Sequence, residues 1–133
     1  REHGHAELCK KLQHRYSGHR GIREIVEQLA DEGLQSDVRY AEAFVRERYR
    51  RGIGPVRVSA ELGQRGVSSG LVDDVLAAPE FDWQRRLAEV AERKFGSEPT
   101  RDPRELAQRS RFLQQRGFPH DAVRRLLQRM SAP

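Results

Sequence analysis

A threefold recurrence constrains this chain more than any other feature. Leu-x-x-Arg closes an apolar-periodic stretch at Leu12…Arg15, Leu62…Arg65 and Leu113…Arg116. Seven, ten and eleven residues beyond each arginine stand Ile22, Ile25 and Val26, then Val72, Val75 and Leu76, then Val123, Leu126 and Leu127. All nine are aliphatic, and the registers lie 50 and 51 residues apart. Within each triplet the spacing i, i+3, i+4 marks one face of an α-helix. No stretch alternates strictly enough to read as a strand. The chain is therefore expected to be all-α, built from tandem helical repeats with a period near 50 residues.

Punctuation divides the repeats into helices. Gly33, Gly52, Gly66, Gly96 and Gly117 each follow a periodic segment, where a left-handed C-terminal cap needs glycine. Pro55, Pro103 and Pro119 stand where a helix begins and an N–H has no partner to lose. Asp37, Ser68 and Asp82 are candidate N-caps, and Asp102-Pro103-Arg104-Glu105 reads as a capping box. The expected helices span 4–15, 20–32, 38–51, 55–65, 69–78, 82–95, 103–116 and 119–130. Grouped by the recurrence, they give three-helix repeats at 37–80 and 81–133. Residues 1–36 form a first repeat whose own first helix is missing, as in a chain trimmed at its start. Stacked repeats of this kind share cores with their neighbours and form an elongated, curved array.

Charge separates the third repeat from the rest. The chain of 133 residues has a net charge of +5. Residues 81–133 hold twelve basic against seven acidic groups, while residues 1–38 and 39–80 are each within one charge of neutral. All basic residues but Lys10, Lys11 and Lys94 are arginine, whose planar fork suits phosphates and carboxylates. Two clusters are candidates for a polyanion or an acidic partner. Arg46, Arg48, Arg50 and Arg51 crowd one helix end, with Arg57 past the turn. Arg109, Arg111, Arg124, Arg125 and Arg129 fall on the last two helices. Arg65 and Arg116, closing the repeated motif, are better placed to bond helix-end carbonyls or an acidic neighbour. Phe112 and Phe118 fall near the apolar stripe and read as core. With no aromatic platform beside the arginines, a free single strand is expected to bind weakly.

Catalytic and metal chemistry find little here. His3, His5, Cys9 and His14 cluster in sequence, but His-x-His on a helix sends its rings to different sides. They read as a solvated face. The acidic pairs Asp31/Glu32 and Asp73/Asp74 lie near helix ends, where carboxylates solvate. No nucleophile elbow, Walker loop or zinc-protease motif occurs. Arg51-Gly52-Ile53-Gly54-Pro55 lacks the preceding strand a phosphate loop needs and reads as one helix ending and the next beginning. Neither an enzyme nor a cofactor is expected. A single cysteine suits a reducing compartment, and no apolar run is long enough to span a bilayer.

At these residues the chain resembles the RecX family, regulators of the RecA recombinase. The resemblance rests on Arg1-Glu2-His3-x-x-Ala6-Glu7-Leu8-x-x-Lys11-Leu12 and on Leu29-x-x-x-Gly33-Leu34-x-x-Asp37-x-x-Tyr40-Ala41-Glu42-x-Phe44-Val45. It continues through Gly52-x-Gly54-Pro55-x-Arg57-Val58-x-x-Glu61-Leu62-x-x-Arg65-Gly66-Val67 to Arg111-Phe112-Leu113-x-x-Arg116-Gly117-Phe118. Val58 stands where isoleucine is more usual. The resemblance implies tandem three-helix repeats in a non-enzymatic, cytoplasmic monomer that acts in recombination, DNA repair and the SOS response. The implied partner is the RecA–single-stranded DNA filament, whose assembly, ATP hydrolysis, strand exchange and coprotease activity such a protein limits. Single-stranded DNA is a further candidate partner; a membrane is not. A stand-alone helical DNA-binding protein is the alternative reading. The family carries no catalytic motif to transfer.

Overall fold

The structure is a computed structural model and describes residues 22–131. Within them lie six helices: α1 (Ile22–Arg50), α2 (Pro55–Gln64), α3 (Ser69–Leu76), α4 (Trp83–Phe95), α5 (Pro103–Gln115) and α6 (His120–Met130). Among the described residues the one strand-like pairing is an isolated parallel bridge between Thr100 and Ser131. The expected helix at 4–15 and the cluster of His3, His5, Cys9 and His14 lie outside the described residues.

Most helix ends obey the local chemistry. Asp82 Oδ1 accepts from the Arg85 N–H at 3.1 Å and starts α4. Asp102 Oδ1 accepts from the Arg104 N–H at 3.0 Å and starts α5, with Pro103 in its first turn. The capping box is only half made. Glu105 does not reach back to the Asp102 N–H, which donates to Thr100 Oγ1 at 3.2 Å. Instead Glu105 accepts from Thr100 Oγ1 at 3.0 Å and from Arg109 Nη2 at 2.6 Å. A guanidinium one turn along outcompetes a backbone amide for a carboxylate. Ser68 occupies the cap of α3 without a side-chain cap bond, and Pro119 sits at the cap of α6 rather than inside it.

One expected break is absent. The sequence reading ends a helix at Gly33 and starts the next at Asp37, but α1 runs unbroken through both. Gly33 and Asp37 are buried inside it. A lone glycine costs a helix only about 1 kcal/mol against alanine, and Leu29, Ala30, Glu32, Leu34 and Gln35 around it are good helix formers. No proline intervenes to enforce a stop. The first aliphatic triplet does not match the burial of the other two, since Ile25 is 50% exposed while Val75 and Leu126, at the same place in their repeats, are buried. The helix expected to cover Ile25 is 4–15, outside the described residues.

The chain packs as two compact units that cut across the sequence repeats. The described part of the first comprises residues 22–45 and 59–77. Its buried apolar side chains are Ala41 and Val45 of α1, Leu62 of α2, Val67, and Val72 and Val75 of α3. The second comprises residues 46–58 and 78–131. Its core is Leu87, Val90 and Ala91 of α4, Leu113 of α5, Phe118, and Val123, Leu126 and Leu127 of α6. Tyr49, Phe81 and Trp83 form an aromatic triangle at its edge, with centroids 5.2–5.9 Å apart.

Candidate polyanion-binding cleft

The second unit begins with the end of α1, and a helix end leaves carbonyls without partners. Two arginines from elsewhere in the unit satisfy them. Arg86 of α4 donates through Nε to the Tyr49 carbonyl at 2.8 Å and through Nη2 to the Arg50 carbonyl at 2.9 Å. Arg116, closing α5, donates through Nη2 to the Arg51 carbonyl at 2.6 Å and through Nε to the Gly52 carbonyl at 3.3 Å. Cations there also oppose the negative end of the helix dipole. The helix-end role expected of Arg116 from sequence agrees with this geometry.

Two glycines make this approach possible. Gly52 has φ +77°, and a side chain on it would press on Val90 Cγ2 at 2.8 Å and Arg116 Nη2 at 3.0 Å. Gly54 lies against backbone: its N–H donates to the Arg116 carbonyl at 2.8 Å, and Val56 N–H donates to the Gly117 carbonyl at 2.9 Å. A Cβ on Gly54 would lie 2.5 Å from the Gly117 oxygen. The Gly52-Ile53-Gly54 segment is thus more than a stop followed by a start. It is where the chain between α1 and α2 joins the end of α5.

Around this joint opens a cleft of about 470 Å³. Six cations line it: Arg50, Arg51, Arg86, Arg93, Lys94 and Arg116. Val90 and Phe112 supply its apolar wall. Two carboxylates pair with these cations. Glu47 lies 2.9 Å from Arg50 and 3.1 Å from Arg51, and Glu89 lies 3.4 Å from Arg86. The Arg50 hydrogen bond holds the Glu47 carboxyl below its ordinary value, with Arg51 and Arg48 adding attraction. Six cations against two carboxylates leave an excess of four positive charges at the cleft. Arg93 and Lys94 are exposed and have no carboxylate partner among the described residues.

The arginines proposed from sequence do not form one patch. Arg50 and Arg51 line the cleft. Arg46 is held 3.9 Å from Glu80, Arg48 is half-buried, and Arg57 is exposed. Arg111, Arg125 and Arg129 are exposed, and Arg124 lies 3.7 Å from Asp121. Arg109 leaves the set. It is 4% exposed, bonded to Glu105, with its guanidinium 5.2 Å from the Phe95 centroid. Its position explains the burial: it precedes Leu113 by one turn, on the core face of α5. Arg86, Arg93 and Lys94 were missed, although a signal was present. Arg86, Val90, Arg93 and Lys94 follow i, i+4, i+7, i+8, which is one stripe along α4.

Among the described residues no group of three or more histidine, cysteine or carboxylate side chains is arranged to hold a metal ion. Nor is any described helix long and apolar enough to cross a membrane. What the cleft offers is charge and hydrogen-bond donors.

Comparison with known proteins gives this cationic three-helix arrangement a family. Residues 36–76 match the profile described as RecX, second three-helix domain, and residues 81–127 match RecX, third three-helix domain. The regulatory protein RecX of Pseudomonas entomophila (strain L48) is 46% identical over 127 residues, covering 96% of this chain and 82% of its own. That of Halorhodospira halophila (strain DSM 244 / SL1) is 46% identical over 124 residues, covering 93% and 77%. RecX of Pseudomonas putida (strain GB-1) is 45% identical over 127 residues, covering 96% and 81%. Two successive three-helix domains in order, and likeness running almost the length of the chain, place this protein in the RecX family of regulatory proteins.

Proposed function

We propose that this protein regulates the RecA recombinase by binding RecA–single-stranded DNA filaments and limiting their assembly, ATP hydrolysis, strand exchange and coprotease activity. Membership of the RecX family is the observation that carries the reading. The charge of the second unit supports it. A filament presents phosphates and protein carboxylates, and a cleft with four excess positive charges attracts both. The chain acts without catalysis, as a modulator built from repeats at 1–36, 37–80 and 81–133. The partner-facing residues are Arg46, Arg48, Arg50, Arg51 and Arg57 with Arg111, Arg124, Arg125 and Arg129, Arg109 being set aside as buried.

The test is to add the protein to a pre-formed filament and follow ATP hydrolysis. Hydrolysis falls as the protein is titrated, and the fall weakens as salt shortens the Debye length from about 10 Å at 0.1 M. Undiminished hydrolysis, with tight binding to duplex DNA instead, favours a stand-alone DNA-binding protein.

A further inference from the structure

A free strand is expected to bind weakly only if no ring stands beside the arginines, and the cleft supplies one. Phe112 is half-buried and forms part of the cleft wall. The Lys94 ammonium lies 5.2 Å from its centroid and the Arg116 guanidinium 5.8 Å. Phe95 stands nearly perpendicular to it, 5.5 Å between centroids at 85°, and so restrains its rotation. A ring held in place by its neighbour and flanked by cations is a platform for a flat group that arrives carrying negative charge.

The cations fall into two kinds. Arg86 is anchored on the last carbonyls of α1 and Arg116 on the two carbonyls just past it, so their positions are set before any ligand arrives. Arg93 and Lys94, in the last turn of α4, have no carboxylate to release among the described residues. Bringing an anion to them breaks no ion pair. The volume, about 470 Å³, lies within the ~300–1,000 Å³ typical of clefts for small ligands. That accommodates a nucleotide-sized group.

We propose that this cleft is a single-stranded nucleic-acid site, in which a phosphodiester sits among Arg50, Arg93 and Lys94 and an unpaired base lies against Phe112 in place of the Lys94 ammonium. The proposal deepens the regulator reading and takes its biological setting from it. A paired base has no free face for the ring, which favours a single strand. An acidic peptide would satisfy the cations and leave Phe112 unused.

The experiment uses the full chain and labelled oligothymidylate, read by fluorescence anisotropy across a salt series, with no recombinase present. The paired substitution Arg93→Gln and Lys94→Gln lowers affinity about tenfold and flattens the log–log salt dependence by about 0.7 for each phosphate left without its cation. Phe112→Leu weakens binding about fivefold or more while leaving the salt slope in place, as removal of base stacking requires. Far-UV circular dichroism of each variant matching the parent shows that the fold survives. Variants that bind the strand like the parent overturn the proposal. So does polyglutamate competing as well as unlabelled strand, which assigns the cleft to acidic protein, or a preference for duplex. Filament ATP hydrolysis, measured separately, distinguishes the two readings. Strand binding through the cleft with no effect on the filament defeats the regulator reading alone, whereas filament inhibition that survives loss of strand binding leaves it standing.

Discussion

The second and third repeats use the same arginine in opposite ways. Aligned on their buried pairs, Ala41 and Val45 of α1 correspond to Leu87 and Ala91 of α4. In the second repeat the neighbouring positions are Tyr40 and Phe44; in the third they are Arg86 and Val90. Arg65 finds two rings: its Nη1 donates to the Tyr40 hydroxyl at 2.8 Å, and its guanidinium lies 4.9 Å from the Phe44 centroid. Arg116, at the equivalent place, meets no such pair. Its nearest equivalents are a like charge and a small aliphatic, so Arg86 turns to the carbonyls that end α1 and Arg116 to the two that follow them. A pair of rings receives the arginine in one repeat. In the other a cation and a valine stand at those positions, and both line the cleft.

The largest effect tests the joint on which that difference depends. Gly117 has φ +103°, and a Cβ there would meet the Arg57 N at 2.9 Å and the Gly54 oxygen at 3.0 Å. Gly117→Ala or Gly54→Ala is expected to destabilise the second unit by about 3 kcal/mol, the upper part of the range for overpacking, because backbone cannot yield. Gly63 on α2 has nothing within 4 Å. Gly63→Ala is expected to gain about 0.5–1 kcal/mol from helix propensity and a stiffer unfolded chain. Trp83 is the single tryptophan and belongs to the second unit, so urea unfolding followed by its fluorescence reads the joint directly. A Gly54→Ala variant as stable as the parent means that the joint is not rigid.

The sequence showed these elements unequally, for physical reasons. Local signals carried the second and third repeats: a glycine after four of the helices, a proline or aspartate at several helix starts, and aliphatic triplets that are buried or half-buried as expected. The break at Gly33 failed because a glycine signals a stop only when the residues after it cannot continue the helix. Gly54 reads as part of a turn because its reason lies 63 residues away at Gly117, and no local pattern encodes a backbone contact at that separation. Arg109 reads as surface when charge is weighed before register. The repeat places Val58, which is fully buried, 51 residues before it. The cleft was half legible. Arg50 and Arg51 stand out as a cluster, but the stripe on α4 becomes a wall only once α5 supplies Phe112 and Arg116.

An intermediate effect sharpens the comparison of the two arginines. Arg116→Met removes charge-assisted bonds to two carbonyls at a helix end and is expected to cost about 2 kcal/mol. Arg65→Met removes one bond to a phenol and a cation–ring contact, and is expected to cost about 1 kcal/mol. Chemical denaturation followed by far-UV circular dichroism, which sees both units, measures each. Equal losses would show that the environments of the two arginines are equivalent in energy despite their different partners.

The smallest effect concerns the arginine that took a core position. Arg109 occupies the place that Val58 holds in the preceding repeat, and two of its nitrogens, Nε and Nη1, are buried without a partner. A buried ion pair replaced by an apolar side chain of similar size is often neutral or stabilising, since the cost of removing the charge from water disappears. Arg109→Met is therefore expected to change stability at neutral pH by less than about 1 kcal/mol in either direction. Its signature lies in pH. Thr100 and then Arg109 hold the Glu105 carboxyl below its ordinary value of 4.5. A carboxyl depressed in the folded state contributes stability above its unfolded value, and that contribution is lost as pH falls through the folded value. The parent should accordingly lose stability on acidification below about pH 4.5 in part through this group. Arg109→Met leaves the Thr100 bond and flattens that dependence partially; Glu105→Gln removes it. Glu105→Gln also leaves the Arg109 charge buried without its carboxylate, so at neutral pH it should be the less stable of the two. Urea midpoints from Trp83 fluorescence across the acid range test both points. If Arg109→Met is markedly destabilised at neutral pH, the third repeat depends on its buried charge in a way the second repeat, with valine there, does not.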